Sequence, residues 1–138
     1  MPRNCFRSLS MGEWREAAPT EETRRVGVVD IGSNSVRLVV FDGAARSPSV
    51  FFNEKVLCGL GEELQTTGRL AEAGKARARA AIRRFAALSE RMNLTALIAV
   101  GTAALRDAED GPEFVARVAA ETGLSIQVAE GVDAARLS

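Results

Sequence analysis

Apolar residues in this chain follow two rhythms, and the change between them predicts most of its elements. Val26 to Ile31 is a short, continuous, β-branched run, the mark of a strand covered on both faces. Ser35 to Asp42 is a second such run, 43–48 supplies turn residues, and Ser49 to Leu57 ("SVFFNEKVL") predicts a third strand. Glu54 and Lys55 put one side of that third strand nearer solvent. The stretch "CGLGEELQTTGRL" is then punctuated by glycine and reads as a loop.

From Ala71 to Met92 the spacing becomes helical. Ala78, Ala81, Ile82, Phe85, Leu88 and Met92 fall on one arc, while Lys75, Arg77, Arg79, Arg83, Arg84 and Arg91 mostly populate the other side. Thr95 to Val100 predicts a strand, followed by a Gly-Thr turn and a short helical segment through Arg106. Pro112 to Thr122 predicts another helix, with proline in the first turn, where its missing N–H does no harm, and Gly123 as the stop. "LSIQVAEG" reads as a final strand, and "VDAARLS" as the first turns of a helix that ends without a cap. The order β-β-β-α-β-α-β-(α) implies a mixed sheet with helices packed against it.

Composition narrows the chemistry. The 138 residues are 46% hydrophobic, enough for one ordinary core. Eighteen basic residues balance eighteen acidic ones, so no whole-protein charge draws the chain to nucleic acid or a membrane. No apolar run reaches membrane-spanning length. The absence of histidine excludes imidazole acid–base chemistry and His-ligated metals. Cys5 and Cys58 lie far apart and form no disulfide or zinc pattern, which points to a reducing, cytoplasmic setting. Residues 1–25 lack periodicity and any signal-like apolar run, and they read as a flexible extension before a domain at 26–138. The basic helix reads as a solvated face, and "GLGEEL" as a turn without the context of a phosphate-binding P-loop.

One stretch is chemically pointed. In "GVVDIGSNSVRLVVF" an aspartate and three small polar residues occupy the tip of a hairpin. Asp30 closes a central strand at its C-terminal end, where open α/β sheets place ligands. Gly32 allows an unusual dihedral in the turn, so that Ser33, Asn34 and Ser35 point N–H groups and hydroxyls into one concavity suited to an anion. The Asp30 carboxylate would repel phosphate unless a cation bridges them, and Mg2+ is the hard, oxygen-seeking choice. The same residues also make an ordinary hairpin turn, for which Asp, Gly, Ser and Asn are the usual choices.

The stretch "VVDIGSNSVRLVVF" closely resembles the first phosphate loop of the exopolyphosphatase / guanosine pentaphosphate phosphohydrolase (Ppx/GppA phosphatase) family. These proteins belong to the actin-like, sugar-kinase and heat-shock-chaperone superfamily. Sugar kinases and chaperones typically carry Gly-Thr after the Asp-x-Gly turn, whereas Asp-x-Gly-Ser-Asn-Ser is more specific to the phosphatases. "LGEELQTTGRL" resembles the family's loop after the third strand, and "AVGTAALRDAEDGPEFVARV" its Gly/Ala-Thr-x-x-Leu-Arg segment. The resemblance runs from Val26 to Leu137. It implies an α/β fold, the ribonuclease-H-like (actin-like ATPase superfamily) N-terminal lobe, with a mixed five-stranded sheet in the order 3-2-1-4-5 and helices. It also implies Mg2+-dependent hydrolysis of a terminal phosphoanhydride, with inorganic polyphosphate or guanosine pentaphosphate as partner. By resemblance Asp30 takes the magnesium, Ser33, Asn34 and Ser35 hold phosphate, and Arg106 reaches the phosphates with bidentate contacts.

Two departures go with it. The family's catalytic glutamate lies in a segment resembling Ser-Gly-x-Glu-Glu-Ala-Arg-Leu, where this chain reads "AEGVDAARLS". Aligning Gly131 and Ala135-Arg136-Leu137 puts Asp133 at the first glutamate and Ala134 at the catalytic one. Glu130 and Asp133 are the nearest carboxylates, and a base displaced by an ångström can cost on the order of a hundredfold. The family's second loop, Asp-x-Gly-Gly-Gly, is missing, so the chain reads as a truncated lobe, one wall of a cleft. Such a half would expose the apolar side that its partner covers, which favours homo-oligomers. The competing expectation is a non-catalytic phosphate- or polyphosphate-binding remnant or regulatory module. An actin-like or sugar-kinase nucleotide site is a third, set back by Gly-Ser-Asn-Ser in place of the expected loop.

Overall fold

The computed structural model of the chain describes residues 7–8, 25–42 and 49–129. Their order is β1 (Arg7–Ser8), β2 (Arg25–Ile31), β3 (Ser35–Asp42), β4 (Ser49–Leu57), α1 (Leu64–Thr67), α2 (Glu72–Arg91), β5 (Ala96–Gly101), α3 (Ala103–Asp107), α4 (Gly111–Thr122) and β6 (Ile126–Val128). β2 lies at the centre, antiparallel to β3 and parallel to β5. β4 forms the outer edge beside β3, and β6 runs parallel along Ala99–Gly101 of β5. Counted from β2, this is the 3-2-1-4-5 order expected of a ribonuclease-H-like lobe. β1 adds a short parallel pairing with Ala96 and Leu97 on the side of β5 that β6 also uses. Nothing in the residue pattern of 1–25 anticipates it.

Alternation decides which face of the sheet is buried. Val29, Ile31, Val36, Leu38 and Val40 are fully buried, while Val26, Val28, Arg37 and Val39 between them are half-buried and Asp30 is exposed. β2, expected to be covered on both faces, is fully buried on one and only half-buried on the other, where Asp30 is exposed. Its buried side joins one core with Ile82 and Phe85 of α2 and Phe114 and Val118 of α4. Fully burying a side chain such as Phe85 stabilises the fold by roughly 2–3 kcal/mol. α2 occupies the predicted stretch within one residue at each end, and α4 ends at Gly123, whose φ of +79° suits glycine. The loop after β4 holds the four-residue α1, too short to carry a helical period.

The basic side of α2 is exposed as expected, but most of its cations are engaged. Arg79 and Arg83 pair with Glu121 of α4, Arg84 pairs with Glu54 of β4, and Arg77 donates to the Cys58 carbonyl. Exposed pairs of this kind add little stability each. At the edge, the register of β3 and β4 shifts between Val40 and Phe41, leaving Phe51 without a cross-strand partner. The Arg25 guanidinium lies 4.0 Å from the Phe51 ring centroid. The exposed large hydrophobics of the described residues, Val50, Phe51 and Leu57, all belong to β4. Among the described residues no helix is long and apolar enough to cross a membrane.

Among the described residues one charged side chain is buried. The Asp110 side chain, 1% exposed, accepts the Lys75 ammonium at 2.7 Å and the Leu70 N–H at 2.9 Å. Burial alone would raise its pKa, but the Lys75 hydrogen bond and charge, with the Leu70 N–H, together hold it below the ordinary value. Its stabilising contribution is therefore complete above the unfolded value of about 3.9. It is lost as pH falls through the depressed folded value. Asp110→Asn should cost about 2 kcal/mol at neutral pH, since it leaves Lys75 with half its partners. Chemical denaturation across the acid range should show the gap to wild type closing below about pH 4. A gap that stays constant would rule out a charged Asp110 in the native state.

Candidate functional site

The hairpin of β2 and β3 pairs as far as Ile31 opposite Val36, and the Gly32 N–H then donates to the Ser35 carbonyl at 2.9 Å. Ser33 and Asn34 are left as an exposed two-residue tip, with Ser35 half-buried behind them. Gly32 does not take the dihedral expected of it. The positive-φ glycines of the described residues are Gly59, Gly68 and Gly123, and a Cβ at Gly32 would make only ordinary contacts with Ser35 and Thr102. The turn is instead shaped from outside.

The chain just after β4 folds back onto the tip. Cys58 and Gly59 both donate their N–H groups to the Asn34 carbonyl, at 2.8 and 3.0 Å, and Gly61 donates to the Ser33 carbonyl at 2.9 Å. This approach explains Gly61, because a Cβ there would lie 2.9 Å from Ser33 Cβ. The Ser33 and Asn34 N–H groups make no hydrogen bond among the described residues, and both residues are exposed. Exposed N–H groups beside hydroxyls and a side-chain amide are the donors an oxyanion binds.

β5 braces the other side. It runs parallel to β2, so Val100 lies beside Asp30 and Gly101 beside Ile31, and both strands end together. Thr102, the next residue, donates its N–H and its hydroxyl to the Ile31 carbonyl, at 3.1 and 3.2 Å. Thr102 was not among the predicted site residues, although the Thr of "VGT" at a strand end was the available signal. Its carbonyl accepts the Arg106 N–H, so α3 starts at the site. Arg106 reaches Asp107 through Nε at 2.8 Å and Nη2 at 3.2 Å. That guanidinium holds the Asp107 carboxyl below its usual range.

The predicted residues therefore divide. Asp30, Ser33, Asn34 and Ser35 share one hairpin end, with Asp30 on the strand face away from the buried core. Arg106 lies on the short helix that begins beside them. Glu130, Asp133 and Ala134 lie outside the described residues. Among the described residues no three acidic, cysteine or histidine side chains cluster to hold a metal. Asp30 contributes a single exposed carboxylate. That fits Mg2+ shared with a phosphate and water, which needs one or two carboxylates rather than a protein cage.

The sequence profile of the Ppx/GppA phosphatase family matches residues 39–138. The chain belongs to the Ppx/GppA phosphatase family. It is 33% identical over 115 residues to exopolyphosphatase 1 of Mycobacterium tuberculosis, covering 83% of this chain and 33% of that protein. It is 31% identical over 115 residues to exopolyphosphatase 1 of Mycobacterium leprae, covering 34% of that protein. The chain thus spans about a third of the length of these curated relatives. Among solved structures, the Aquifex aeolicus Ppx/GppA family member is similar at TM-score 0.75 and 30% identity, covering 78% of this chain and 35% of that one. An exopolyphosphatase from Cytophaga hutchinsonii gives TM-score 0.74 at 28% identity, covering 79% and 35%. The family's N-terminal part is the part this chain resembles.

Gly61→Ala tests the bracing of the tip. The added methyl must push Ser33 or the loop aside, at a cost of about 1–3 kcal/mol. A lower melting temperature should accompany amide resonance shifts at Ser33 and Asn34. An unchanged melt and spectrum would mean that the loop does not press on the tip.

Proposed function

We propose that this chain supplies the N-terminal, phosphate-gripping lobe of a Mg2+-dependent hydrolase that releases terminal phosphate from inorganic polyphosphate or guanosine pentaphosphate. The observation that carries this reading is the pair of N–H groups at the exposed Ser33 and Asn34 that make no hydrogen bond among the described residues, on the same hairpin end as the exposed Asp30. In this reading Ser33, Asn34 and Ser35 bind the oxygens of a phosphate, and Arg106 approaches the chain of phosphates from α3. Asp30 would hold Mg2+, which supplies neutralisation of phosphate charge when bound. Phosphoryl transfer depends mainly on positioning and charge compensation, which residues of these types provide. In this reading the lobe is built from β2 onward, the segment before it contributes β1 to the same sheet, and the buried free thiol of Cys58 suits a cytoplasmic protein.

A second reading, a non-catalytic polyphosphate-binding module, is favoured by Ala134. In the alignment a methyl stands where the family carries its catalytic glutamate, and a methyl accepts no proton.

A ligand that binds only the folded state raises its melting temperature. Short-chain polyphosphate with Mg2+ should therefore protect the purified chain. Asn34→Ala should weaken that protection, and Asp30→Ala should abolish its Mg2+ dependence. Equal protection in all three proteins would reduce the hairpin tip to a turn.

Catalysis separates the two readings. Groups that act as a unit are not additive, so Ala134→Glu alone should leave phosphate release at background. The same substitution should raise release strongly when the remaining two-thirds of a family relative is fused to the chain. Rapid Mg2+-dependent release by the unaltered 138 residues would overturn the alignment of Ala134.

A further inference from the structure

Asp110 stands at the N-cap of α4, where an aspartate ordinarily accepts N–H groups of its own helix. It makes no side-chain cap there. The carboxylate turns away and reaches across the fold, with Oδ1 on the Leu70 N–H at 2.9 Å and Oδ2 on Lys75 Nζ at 2.7 Å. The Arg69 guanidinium lies 3.7 Å from Oδ2, and Lys75 is shared with Glu72 at 2.8 Å. The backbone repeats the join one residue earlier, where the Glu109 N–H donates to the Gly68 carbonyl at 2.9 Å. A buried charge is costly, and satisfying one N–H does not require it.

Both ends of the segment from Cys58 to Ala71 are tied. At one end Cys58, Gly59 and Gly61 hold the Ser33 and Asn34 carbonyls, and at the other Leu70 is held by Asp110. Between them the Ala71 N–H donates to the Leu60 carbonyl at 3.1 Å, so the two ends are linked directly. Asp110 also lies three residues after α3, which carries Arg106. One buried carboxylate thus stands where the loop under the hairpin tip meets the helix beside it.

We propose that Asp110 is a positioning residue for the phosphate site: by anchoring the 58–71 loop it fixes the Ser33 and Asn34 carbonyls, and with them the peptide planes that carry the Asn34 and Ser35 N–H groups. The ligand-binding half of this inference rests on the proposed reading of the hairpin, while the mechanical half does not.

Amide hydrogen exchange on the full chain tests the mechanical half without ligand. In the wild type, the amides of Cys58, Gly59, Gly61 and Leu70 should open as one unit, with the same opening free energy and denaturant dependence. Independent opening of Leu70 would overturn the proposal even if no variant folds. In Asp110→Ala the Cys58, Gly59 and Gly61 amides should exchange about tenfold faster than any change shared with Leu97–Ala99 of β5. Asp110→Asn keeps an acceptor for Leu70 and should restore most of that protection. Val118→Ala, in the core under α4, should speed loop and strand amides together. Equal acceleration of loop and strand amides in Asp110→Ala would leave Asp110 merely structural.

Short-chain polyphosphate with Mg2+ tests the other half. Asp110→Ala should weaken binding about tenfold, a loss of about 1.4 kcal/mol, while Val118→Ala leaves it within about twofold. Unchanged binding in Asp110→Ala would overturn the positioning role. A wild-type chain that binds no polyphosphate would refute the hairpin reading instead, and the exchange result would still decide whether Asp110 holds the loop.

Discussion

Three backbone hydrogen bonds, from Cys58, Gly59 and Gly61 to the carbonyls of Ser33 and Asn34, set the character of the candidate site. A hairpin tip left to itself can rotate its peptide planes and satisfy donors and acceptors with water. Here the acceptors are consumed from below. The Ser33 and Asn34 N–H groups stay without a partner among the described residues, at the end of the sheet where β2 and β5 both terminate. Charge then matters at short range, because the chain as a whole is neutral.

That arrangement depends on close backbone contact, and the loop is gripped from two directions. Above it Gly61 meets Ser33. Behind it Gly74 of α2 faces the Gly59 carbonyl, which a Cβ would approach to 2.7 Å. α2 is in turn held by the apolar core, with Ile82 and Phe85 fully buried against the sheet. Packing energy is therefore transmitted from a core of aliphatic side chains to a surface turn with no core of its own. Thr102 completes the frame by tying the end of β5 to Ile31.

Legibility in the sequence followed the range of the signal. β3 and β4 were read at their observed limits because each run is bounded by turn residues, and α2 because its apolar arc repeats for twenty residues. The hairpin residues were legible because Asp30 to Ser35 are contiguous. β1 is two residues long and α1 four, too short for any period to register. Gly32 was credited with an unusual dihedral that it does not take, while Gly61, which close approach to Ser33 requires, went unnoticed, since only the folded chain shows which glycine is pressed upon. Asp110 gave no sign at all. Its partners Leu70 and Lys75 are 40 and 35 residues away, and locally it looks like any aspartate before a helix.

The unpaired Phe51 bears on the open edge of the sheet. A nine-residue edge strand with an open row of N–H and C=O groups is a template on which another chain can extend the sheet. On β4 the row is interrupted where Phe51 bulges out of register, and Arg25 lays its guanidinium over that ring. Lys55 places a charge farther along the same strand. The regular stretch left for an intruder shrinks to the residues between the bulge and Leu57, and any strand docking there must accommodate a lysine. Edge-to-edge pairing on β4 thus meets an irregularity: straightening the strand would complete its pairing with β3 and lengthen the regular edge open to another strand.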